Sequence, residues 1–451
     1  MRRILFFQRH FEEKFASAFL KELSNPGFTV TEQFIIPGET AHRIWIIIYL
    51  HLSGSILRGL NMTETCDAII IGGGVMGASI ISNLATSGVT NTILLEKSTI
   101  GAGSTGRSSG AIRMHYSTKV NATLAHESLK VFTNFSDQVG GDVGFVKTGY
   151  MVFAPSEASQ AFRENISMQQ EVGISTREID HKEAAELAPA FKIAETEHIA
   201  WEDDSGHADP SATALAYINH ARANGATIHL EAPVIDIKIS ESGSSHQVIT
   251  EKACFESETV IIATGPWTSS LLNKINVSLP LLPTRHQVFL IKRNLNKIPT
   301  HPGGGDMTNL IYFRPEGHDL TLVGNGNHEE TVNPDSYNQK YDLSYAADVW
   351  TRLTKRIPSI ADAELFTGYS GLYTTTPDLH PIIDSVDGIN GLFVCSGFSG
   401  HGFKLAPAVG TVMTELVTQG KAITVDIEPL KMNRFADGRL NTTKYSFKVI
   451  A

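Results

Sequence analysis

One short segment constrains the fold of this chain more than any other. Residues 67–71 form an apolar, β-branched run of strand length, and they lead directly into the glycine-rich turn 72–77, whose spacing is GxGxxG. Residues 78–88 then read as a helix, and a second strand over 92–95 ends at the acidic Glu96. Strand, glycine turn, helix, strand and acid in this order are typical of a βαβ dinucleotide-binding unit, although the glycine spacing alone is weak evidence.

Each part of this segment has a physical role in such a unit. Gly72 permits the tight turn, Gly74 lets the backbone approach a pyrophosphate, and Gly77 lets the helix pack closely on the strand. The helix N-terminus offers free N–H groups and a positive dipole end to phosphates. Glu96 can accept hydrogen bonds from ribose hydroxyls, and its charge would repel a 2′-phosphate.

Three further segments favour FAD over NAD as the dinucleotide. A second small-residue loop over 101–110 can pass close to an extended cofactor. Residues 259–265 read as a buried strand that ends in a small-residue turn, and residues 391–397 read as a strand that enters a glycine-rich turn and a helix. The chain therefore returns repeatedly to one sheet, as a long cofactor requires.

Two C-terminal motifs then identify a family. Residues 397–404 (Gly-Phe-Ser-Gly-His-Gly-Phe-Lys) and 373–378 (Tyr-Thr-Thr-Thr-Pro-Asp) resemble the C-terminal signature of the D-amino-acid oxidase superfamily. The similarity is closest to its sarcosine oxidase and dimethylglycine dehydrogenase branch, and it extends from about residue 67 to about residue 420. The resemblance implies an α/β fold, with a Rossmann-type FAD-binding domain interleaved with a mixed-sheet, α+β substrate-binding domain.

The expected division of the chain follows from this resemblance and from the alternation of helix-like and strand-like segments. It comprises an N-terminal extension outside the fold (1–61), an FAD-binding domain (62–145, 205–275 and 365–430), a substrate-binding domain (146–204 and 276–364) and a C-terminal tail (431–451).

The first 61 residues do not follow the pattern of the rest. Their best hydrophobic stretch, 44–57, is shorter than the roughly 18–20 apolar residues that span a bilayer, so no integral membrane span is expected. The folded pattern begins abruptly after Met62. We therefore expect residues 1–61 to lie outside the fold and to be dispensable.

The resemblance also implies a chemistry and a set of catalytic residues. The expected reaction is oxidation of the C–N bond of a small, secondary or N-methyl amino acid to an imine, with a hydride equivalent passing to flavin N5. Arg113 and Lys404 would clamp the substrate carboxylate, Tyr312 would lie on the substrate side, and His401 would lie where the last helix begins. A solvated surface charge is the alternative for each cation, and a packing or capping role is the alternative for Tyr312 and His401.

The cofactor contacts are expected from the glycine turns, the acid after the second strand and the last helix. They are Gly72, Gly74, Val75, Met76, Gly77, Glu96, Lys97, Ser104, Thr105, Ser108, Ser109, Val234, Thr264, Gly265, Gly397, Gly400, His401, Gly402 and Lys404.

Two departures from the family pattern bear on how the cofactor is held and reoxidised. Single-chain sarcosine oxidases attach flavin through a cysteine two residues before the Tyr-Thr motif, where this chain has Gly371. No clear histidine candidate for attachment follows Gly77, so we expect non-covalent FAD. The family lysine that helps to activate oxygen would fall in strand 319–324, which contains no lysine. Dehydrogenase activity is therefore an open alternative to oxidase activity.

Composition narrows the remaining choices. The net charge of −10 argues against nucleic-acid binding. The cysteines Cys66, Cys254 and Cys395 have no metal-ligand spacing, and so sparse a count fits a reducing, cytoplasmic compartment. The expected partners are a small amino-acid or amine substrate and an electron acceptor, either oxygen or a redox subunit. A non-catalytic flavin-binding scaffold is the alternative from another functional class.

Overall fold

The computed structural model describes residues 4–5, 48–49, 63–240, 245–443 and 445. These residues fall into two compact units that divide between Thr63 and Glu64. In the first unit, strands β1 (Ile4–Leu5) and β2 (Ile48–Tyr49) pair in an antiparallel manner. The expectation that residues 1–61 are dispensable falls almost wholly outside the described residues.

The other described strands differ widely in length. In chain order they are β3 (Thr63–Thr65), β4 (Ala68–Ile71), β5 (Thr92–Leu95), β6 (Ala111–Ile112), β7 (Val146–Lys147), β8 (Tyr150–Ala154), β9 (Arg177–Ile179), β10 (His198–Glu202), β11 (Gly206–His207), β12 (Thr227–His229), β13 (Val234–Lys238), β14 (His246–Thr250), β15 (Cys254–Ser257), β16 (Val260–Ile262), β17 (Leu282–Lys292), β18 (Gly303–Asp306), β19 (Ile311–Glu316), β20 (Leu320–Gly324), β21 (Glu364–Thr375), β22 (Ile382–Ser385) and β23 (Leu392–Ser396).

The described α-helices are α1 (Val75–Thr86), α2 (Lys119–Thr133), α3 (Phe135–Gln138), α4 (Ser159–Val172), α5 (His181–Leu187), α6 (Pro210–Ala223), α7 (Thr268–Leu272), α8 (Leu343–Arg356) and α9 (Gly402–Gln419). Helix α1 begins three residues before the sequence pattern suggests, because Gly74 is its N-cap and the glycine turn feeds directly into it. Among the helices of the described residues, none is both long enough and apolar enough to cross a bilayer.

A six-stranded sheet forms the centre of the dinucleotide-binding half. Its strand order is β12-β5-β4-β16-β23-β22, with only β22 antiparallel to its neighbour. In β4, Ile70 packs into the cluster formed with the flanking helices, whereas Ile69 and Ile71 pack into the cluster on the opposite face. Burial on both faces explains why the strand reads as a continuous apolar run. The predicted Rossmann-type sheet is confirmed.

Three helices cover one face of this sheet. Helix α1 packs against both α6 and α9. The approach of α9 is close because Gly410 faces α1, and a Cβ at Gly410 would lie 2.1 Å from the hydroxyl of Ser79. The glycine turn, α1 and the start of α9 are therefore held together as one support for the site.

An eight-stranded mixed sheet forms the second half. Its order is β21-β17-β20-β19-β18-β8-β10-β9, and β18 and β8 are its one parallel pair. Strand β8 alternates, with Met151 and Phe153 on the face covered by α8, and Val152 on the face covered by α4. The mixed sheet agrees with the predicted fold class. The residues from Glu64 onward form one compact unit, so the domain boundaries given above stay a prediction.

The described part of the predicted C-terminal tail packs onto this unit. The guanidinium of Arg434 donates to both carboxylate oxygens of Asp378, at 2.8 and 3.0 Å, and both side chains are buried. Farther along, the hydroxyl of Tyr445 lies 2.8 Å from Nε2 of His115.

Candidate active site

The loops that follow four strands of the six-stranded sheet enclose a cleft of about 520 Å³. These strands are β4, β5, β16 and β23, and their carboxyl ends share one edge of the sheet. Ligands of open α/β sheets bind at this edge, and the volume suits a cofactor pocket, which is typically roughly 300–1,000 Å³. The opposite wall comes from the eight-stranded half and includes His286, Tyr373 and part of the segment 334–339.

Backbone crowding explains two of the glycines in the first turn. Gly72 has a φ of +112°, and a Cβ there would lie 2.5 Å from the carbonyl oxygen of Ala263. A Cβ at Gly77 would lie 1.9 Å from the carbonyl oxygen of Gly72. The turn therefore presses against both β16 and its own helix, and neither position has room for a side chain.

The N-terminus of α1 and the acid at the end of β5 face the cleft from two sides. The N–H of Val75 donates to the hydroxyl of Thr105 at 3.0 Å, which fixes the second small-residue loop against the helix N-terminus. The Glu96 carboxylate accepts the N–H groups of Gly73 and Ser98, at 2.6 and 2.8 Å. A helix N-terminus stabilises anions, and the acid suits hydroxyls, so this arrangement fits a dinucleotide.

The structure places most of the predicted cofactor residues on the cleft wall. Those that line it are Gly72, Gly74, Val75, Met76, Glu96, Lys97, Ser104, Thr105, Ser108, Ser109, Val234, Thr264, Gly265, Gly397, Gly400 and Gly402. Gly77, His401 and Lys404 do not line it. Gly77 lies within α1, while the other two lie at the start of α9, next to lining residues.

Two basic residues, Arg113 directly after β6 and Lys404 in the first turn of α9, lie close enough for the charge of one to act on the other. Both are buried, and the pKa of Lys404 is held well below its usual value, first by burial and then by the charge of Arg113. The guanidinium of Arg113 lies over the ring of Tyr116, 4.8 Å from its centroid, and donates to the carbonyl of His115. Its Nη2 has no hydrogen-bond partner among the described residues.

A buried carboxyl group lies near Arg113 but is engaged elsewhere. Glu202 accepts the N–H of Met114 at 2.9 Å and the hydroxyl of Ser205 at 2.6 Å. Burial raises the pKa of Glu202, and the charge of Arg113 acts in the opposite direction. Within the described residues, Glu202 forms no ion pair with Arg113. It instead accepts a hydrogen bond from the backbone of Met114, the residue that follows the arginine.

His401 joins the same group of residues. Its ring meets the ring of Tyr116 edge-on, with centroids 5.4 Å apart, and both of its nitrogens lack a hydrogen-bond partner in the described part of the chain. Burial and then the charges of Lys404 and Arg113 lower the pKa of His401 well below its usual value. The structure thus brings three of the four predicted catalytic residues, Arg113, His401 and Lys404, near one another, and the first two contact Tyr116.

The fourth, Tyr312, belongs to a separate aromatic group. Its hydroxyl lies 2.5 Å from Nε2 of His286, and the His286 ring stacks on Tyr373 with centroids 4.3 Å apart. His286 and Tyr373 line the cleft, whereas Tyr312 lies behind them. Burial lowers the pKa of His286 to about 3, so this imidazole is neutral near neutral pH. The sequence alone assigns no role to His286, because only the pairing of β17 with β21 brings it to the cleft.

Gly371 also lies on the cleft wall. A Cβ at this position would lie 2.8 Å from Cβ of Arg107, closer than real Cβ contacts allow. A cysteine here would therefore require the arginine loop to move. This crowding supports the expectation that FAD is not attached at residue 371.

Comparison with known proteins identifies the family of this chain. The DAO family, described as FAD dependent oxidoreductase, matches residues 67–416. The chain is 29% identical to monomeric sarcosine oxidase from Arthrobacter sp. (strain TE1826), over 64% of this chain and 76% of that protein. It is 25% identical to mitochondrial dimethylglycine dehydrogenase from Mus musculus, over 85% of this chain but only 45% of that protein.

Two solved structures are similar to this chain in fold. L-proline dehydrogenase from P. horikoshii is similar with a TM-score of 0.77 and 28% identity, over 84% of this chain and all of that one (100%). Glycine oxidase from Geobacillus kaustophilus has the same fold, with a TM-score of 0.71 and 22% identity, over 82% of this chain and 99% of that one. The predicted FAD cofactor and the predicted superfamily are both confirmed. The chain belongs to the DAO family of FAD-dependent oxidoreductases.

Proposed function

We propose that this protein oxidises the C–N bond of a small amino acid, preferably a secondary or N-methyl one, to an imine. The observation that carries the proposal is the pair of buried cations, Arg113 and Lys404, without a carboxylate partner among the described residues. Two other buried arginines, Arg356 and Arg434, do pair with carboxylates. Since an unpaired buried charge is costly, Arg113 and Lys404 suit an anionic ligand.

The substrate carboxylate would be that ligand. Arg113 can hold it in a bidentate manner because its Nη2 has no hydrogen-bond partner among the described residues, while the guanidinium rests against the Tyr116 ring. Lys404 would add a second, more flexible cation. The positive end of α9 begins one turn before Lys404 and strengthens the attraction for an anion.

Two further groups at or behind the cleft wall, His286 and Tyr312, are polar but uncharged. FAD bound in the cleft would supply the acceptor for the hydride equivalent that leaves the carbon beside nitrogen. His286 is neutral, and burial keeps the pKa of Tyr312 well above its usual value, so neither group repels a cationic or neutral amine. These residues would orient the amine end while the cations hold the carboxylate, and such positioning accounts for a large part of the rate in hydride transfer.

Anaerobic flavin bleaching tests this proposal. The holoenzyme is mixed with sarcosine, dimethylglycine, proline, glycine or a D-amino acid, and the loss of flavin absorbance is followed without oxygen. At least one of these compounds should bleach the flavin. The analogue of that compound with the same amine but without the carboxylate should not. Equal bleaching by the two would refute a carboxylate clamp. No bleaching by any of them would favour the flavin-binding scaffold instead.

A specific feature favours a second candidate, a dehydrogenase that passes electrons to a partner protein. Strand β20 is Leu-Thr-Leu-Val-Gly and contains no lysine, although the family resemblance places the oxygen-activating lysine in this strand. The similarity to a proline dehydrogenase over the whole length of that chain also supports it. Oxygen consumption should then be slow relative to reduction of an artificial dye by the same preparation. Equal rates with oxygen and dye would make the protein an oxidase.

A further inference from the structure

A segment of the eight-stranded half reaches across the cleft. Asp335 accepts hydrogen bonds from Nε1 of Trp267 at 2.7 Å and from Nζ of Lys97 at 3.2 Å. Nζ of Lys97 also lies 3.5 Å from the centroid of the Trp267 ring. Four residues farther on, Gln339 accepts a hydrogen bond from Nη2 of Arg107 at 2.9 Å. These contacts join parts of the chain that are separated by 68 to 238 residues.

The partners of this segment all come from loops that form the cleft. Lys97 directly follows Glu96 at the end of β5, Trp267 ends a turn after β16, and Arg107 belongs to the second small-residue loop. The segment also lines the cleft itself, through Pro334, Asp335, Tyr337 and Gln339. It therefore forms part of the wall around the cofactor, although no sequence motif marks it.

The two ends of the segment are held differently. At its base, the buried Arg285 of β17 donates to the carbonyls of Asn338 and Lys340, at 2.9 and 2.6 Å. Arg285 also pairs with Asp342 at 2.6 Å. At its tip, the side chains of Lys97 and Asp335 are 43% and 67% exposed, and exposed ion pairs are individually weak. The tip can thus detach while the base stays fixed.

We propose that residues 333–339 are a clasp that closes over bound FAD and retains it in the cleft. Asp335 fastens its tip to Lys97 and Trp267, and Gln339, beside the fixed base, adds a contact to Arg107. Such a device suits a cofactor that is not covalently attached, because release must then be slowed by contacts alone. The proposal concerns cofactor retention and does not depend on which compound the protein oxidises.

The rate of FAD release from the holoenzyme tests the clasp. The holoenzyme is diluted into flavin-free buffer, and the flavin that stays with the protein is measured at intervals after ultrafiltration. Asp335→Ala should release FAD roughly tenfold faster than wild type, because one change removes the contacts to both Lys97 and Trp267. High salt should speed release from wild type and have little effect on Asp335→Ala, since it screens the exposed ion pair.

A matched control separates the clasp from a general effect of lost surface charge. Lys297 and Asp362 form an ion pair of 2.7 Å with similar exposure, 51% and 59%, and neither residue lines the cleft. Asp362→Ala should therefore release FAD at the wild-type rate. A wild-type rate in Asp335→Ala would overturn the clasp, whatever the substrate proves to be. If Asp335→Ala does not fold, Gln339→Ala replaces it, with several-fold faster release expected and an unchanged rate refuting the proposal.

Discussion

Lys404 is a basic residue that the fold buries without a carboxylate partner among the described residues. The residue lies in the first turn of α9, and a second buried basic residue, Arg113, is close to it. Protein stability gains nothing from this arrangement, because each charge disfavours the other and both are removed from water. Residues that destabilise a fold in this way are reasonable candidates for ligand binding.

Removing either cation should therefore impair turnover and leave the cofactor in place. Arg113→Ala and Lys404→Ala should each lower kcat/KM for the best substrate roughly 30- to 1000-fold, which corresponds to about 2–4 kcal/mol of lost charge-assisted bonding. Arg113→Lys should also be impaired, because it keeps the charge but loses the planar fork. Flavin content of each variant serves as the test of an intact site.

Lys130→Ala provides the control for this series, since Lys130 is an exposed lysine on α2 with only a surface ion pair. It should retain wild-type turnover. Wild-type kcat/KM in both Arg113→Ala and Lys404→Ala would show that the carboxylate is bound elsewhere.

The depressed pKa of Lys404 leads to a prediction about pH. A bound carboxylate favours the ammonium form, so above the pKa of the free protein, binding must take up a proton. The affinity for acetate, which has no amine of its own to titrate near neutral pH, should therefore fall as pH rises. His401 is neutral over this range because its pKa is also lowered, so it should not contribute. The measurement is the acetate dissociation constant, from the flavin spectrum, across pH.

Lys404→Arg is the matched variant, because a guanidinium stays charged at every accessible pH. Its acetate affinity should be nearly independent of pH between about 6 and 9. The same slope in wild type and in Lys404→Arg would assign the proton uptake to another group.

At the scale of elements, the parts that the sequence predicts are those formed by local pattern. The strand β4, the glycine turn and α1 are contiguous, and their apolar residues and glycines specify them without reference to the rest of the chain. Strand β23 and α9 are predictable for the same reason. The elements that supply the FAD site thus lie within reach of sequence reasoning.

The opposite wall of the cleft is not predictable in this way. His286 meets Gly371 only through the register of β17 against β21, and the two residues are 85 positions apart in the chain. Asp335 and Gln339 act through contacts with loops of the other sheet, and their own segment, 333–339, shows neither a helix nor a strand pattern. Pairings of this kind depend on long-range register, and no local pattern encodes them.

Strand β21 also supports a prediction on the cofactor bond. Because residue 371 is a glycine, the strand has no side chain there that could be bonded to the flavin, and Arg107 leaves no room for one. Acid precipitation should release the yellow colour into the supernatant, with no flavin left on the pellet. Colour that remained on the protein would reveal a covalent bond at another residue and contradict the expectation of non-covalent FAD.

At the scale of the whole molecule, one buried ion pair connects the C-terminal tail to the segment between β21 and β22. Asp378 accepts two hydrogen bonds from Arg434 and one from the N–H of Asn441, at 3.1 Å. Arg434 also donates to the carbonyl of His380 at 2.8 Å. Because both charges are buried, removing one partner leaves the other uncompensated, and Arg434→Met should cost about 3–5 kcal/mol of stability.

The same pair predicts how acid weakens the fold. Burial alone would raise the pKa of Asp378, but the hydrogen bonds and charge of Arg434 lower it to about 2. In the unfolded chain this carboxyl has a pKa of about 3.9, so its contribution of about 2–3 kcal/mol is fully present above that value and is lost as pH falls through about 2. Asp378→Asn lacks this contribution at every pH. The measurement is the free energy of unfolding in urea, with excess FAD, for wild type and Asp378→Asn. The two proteins should differ most at about pH 7, and the difference in free energy should narrow toward about pH 3. A difference that stayed constant over this range would mean that the carboxylate charge of Asp378 does not stabilise the attachment of the tail.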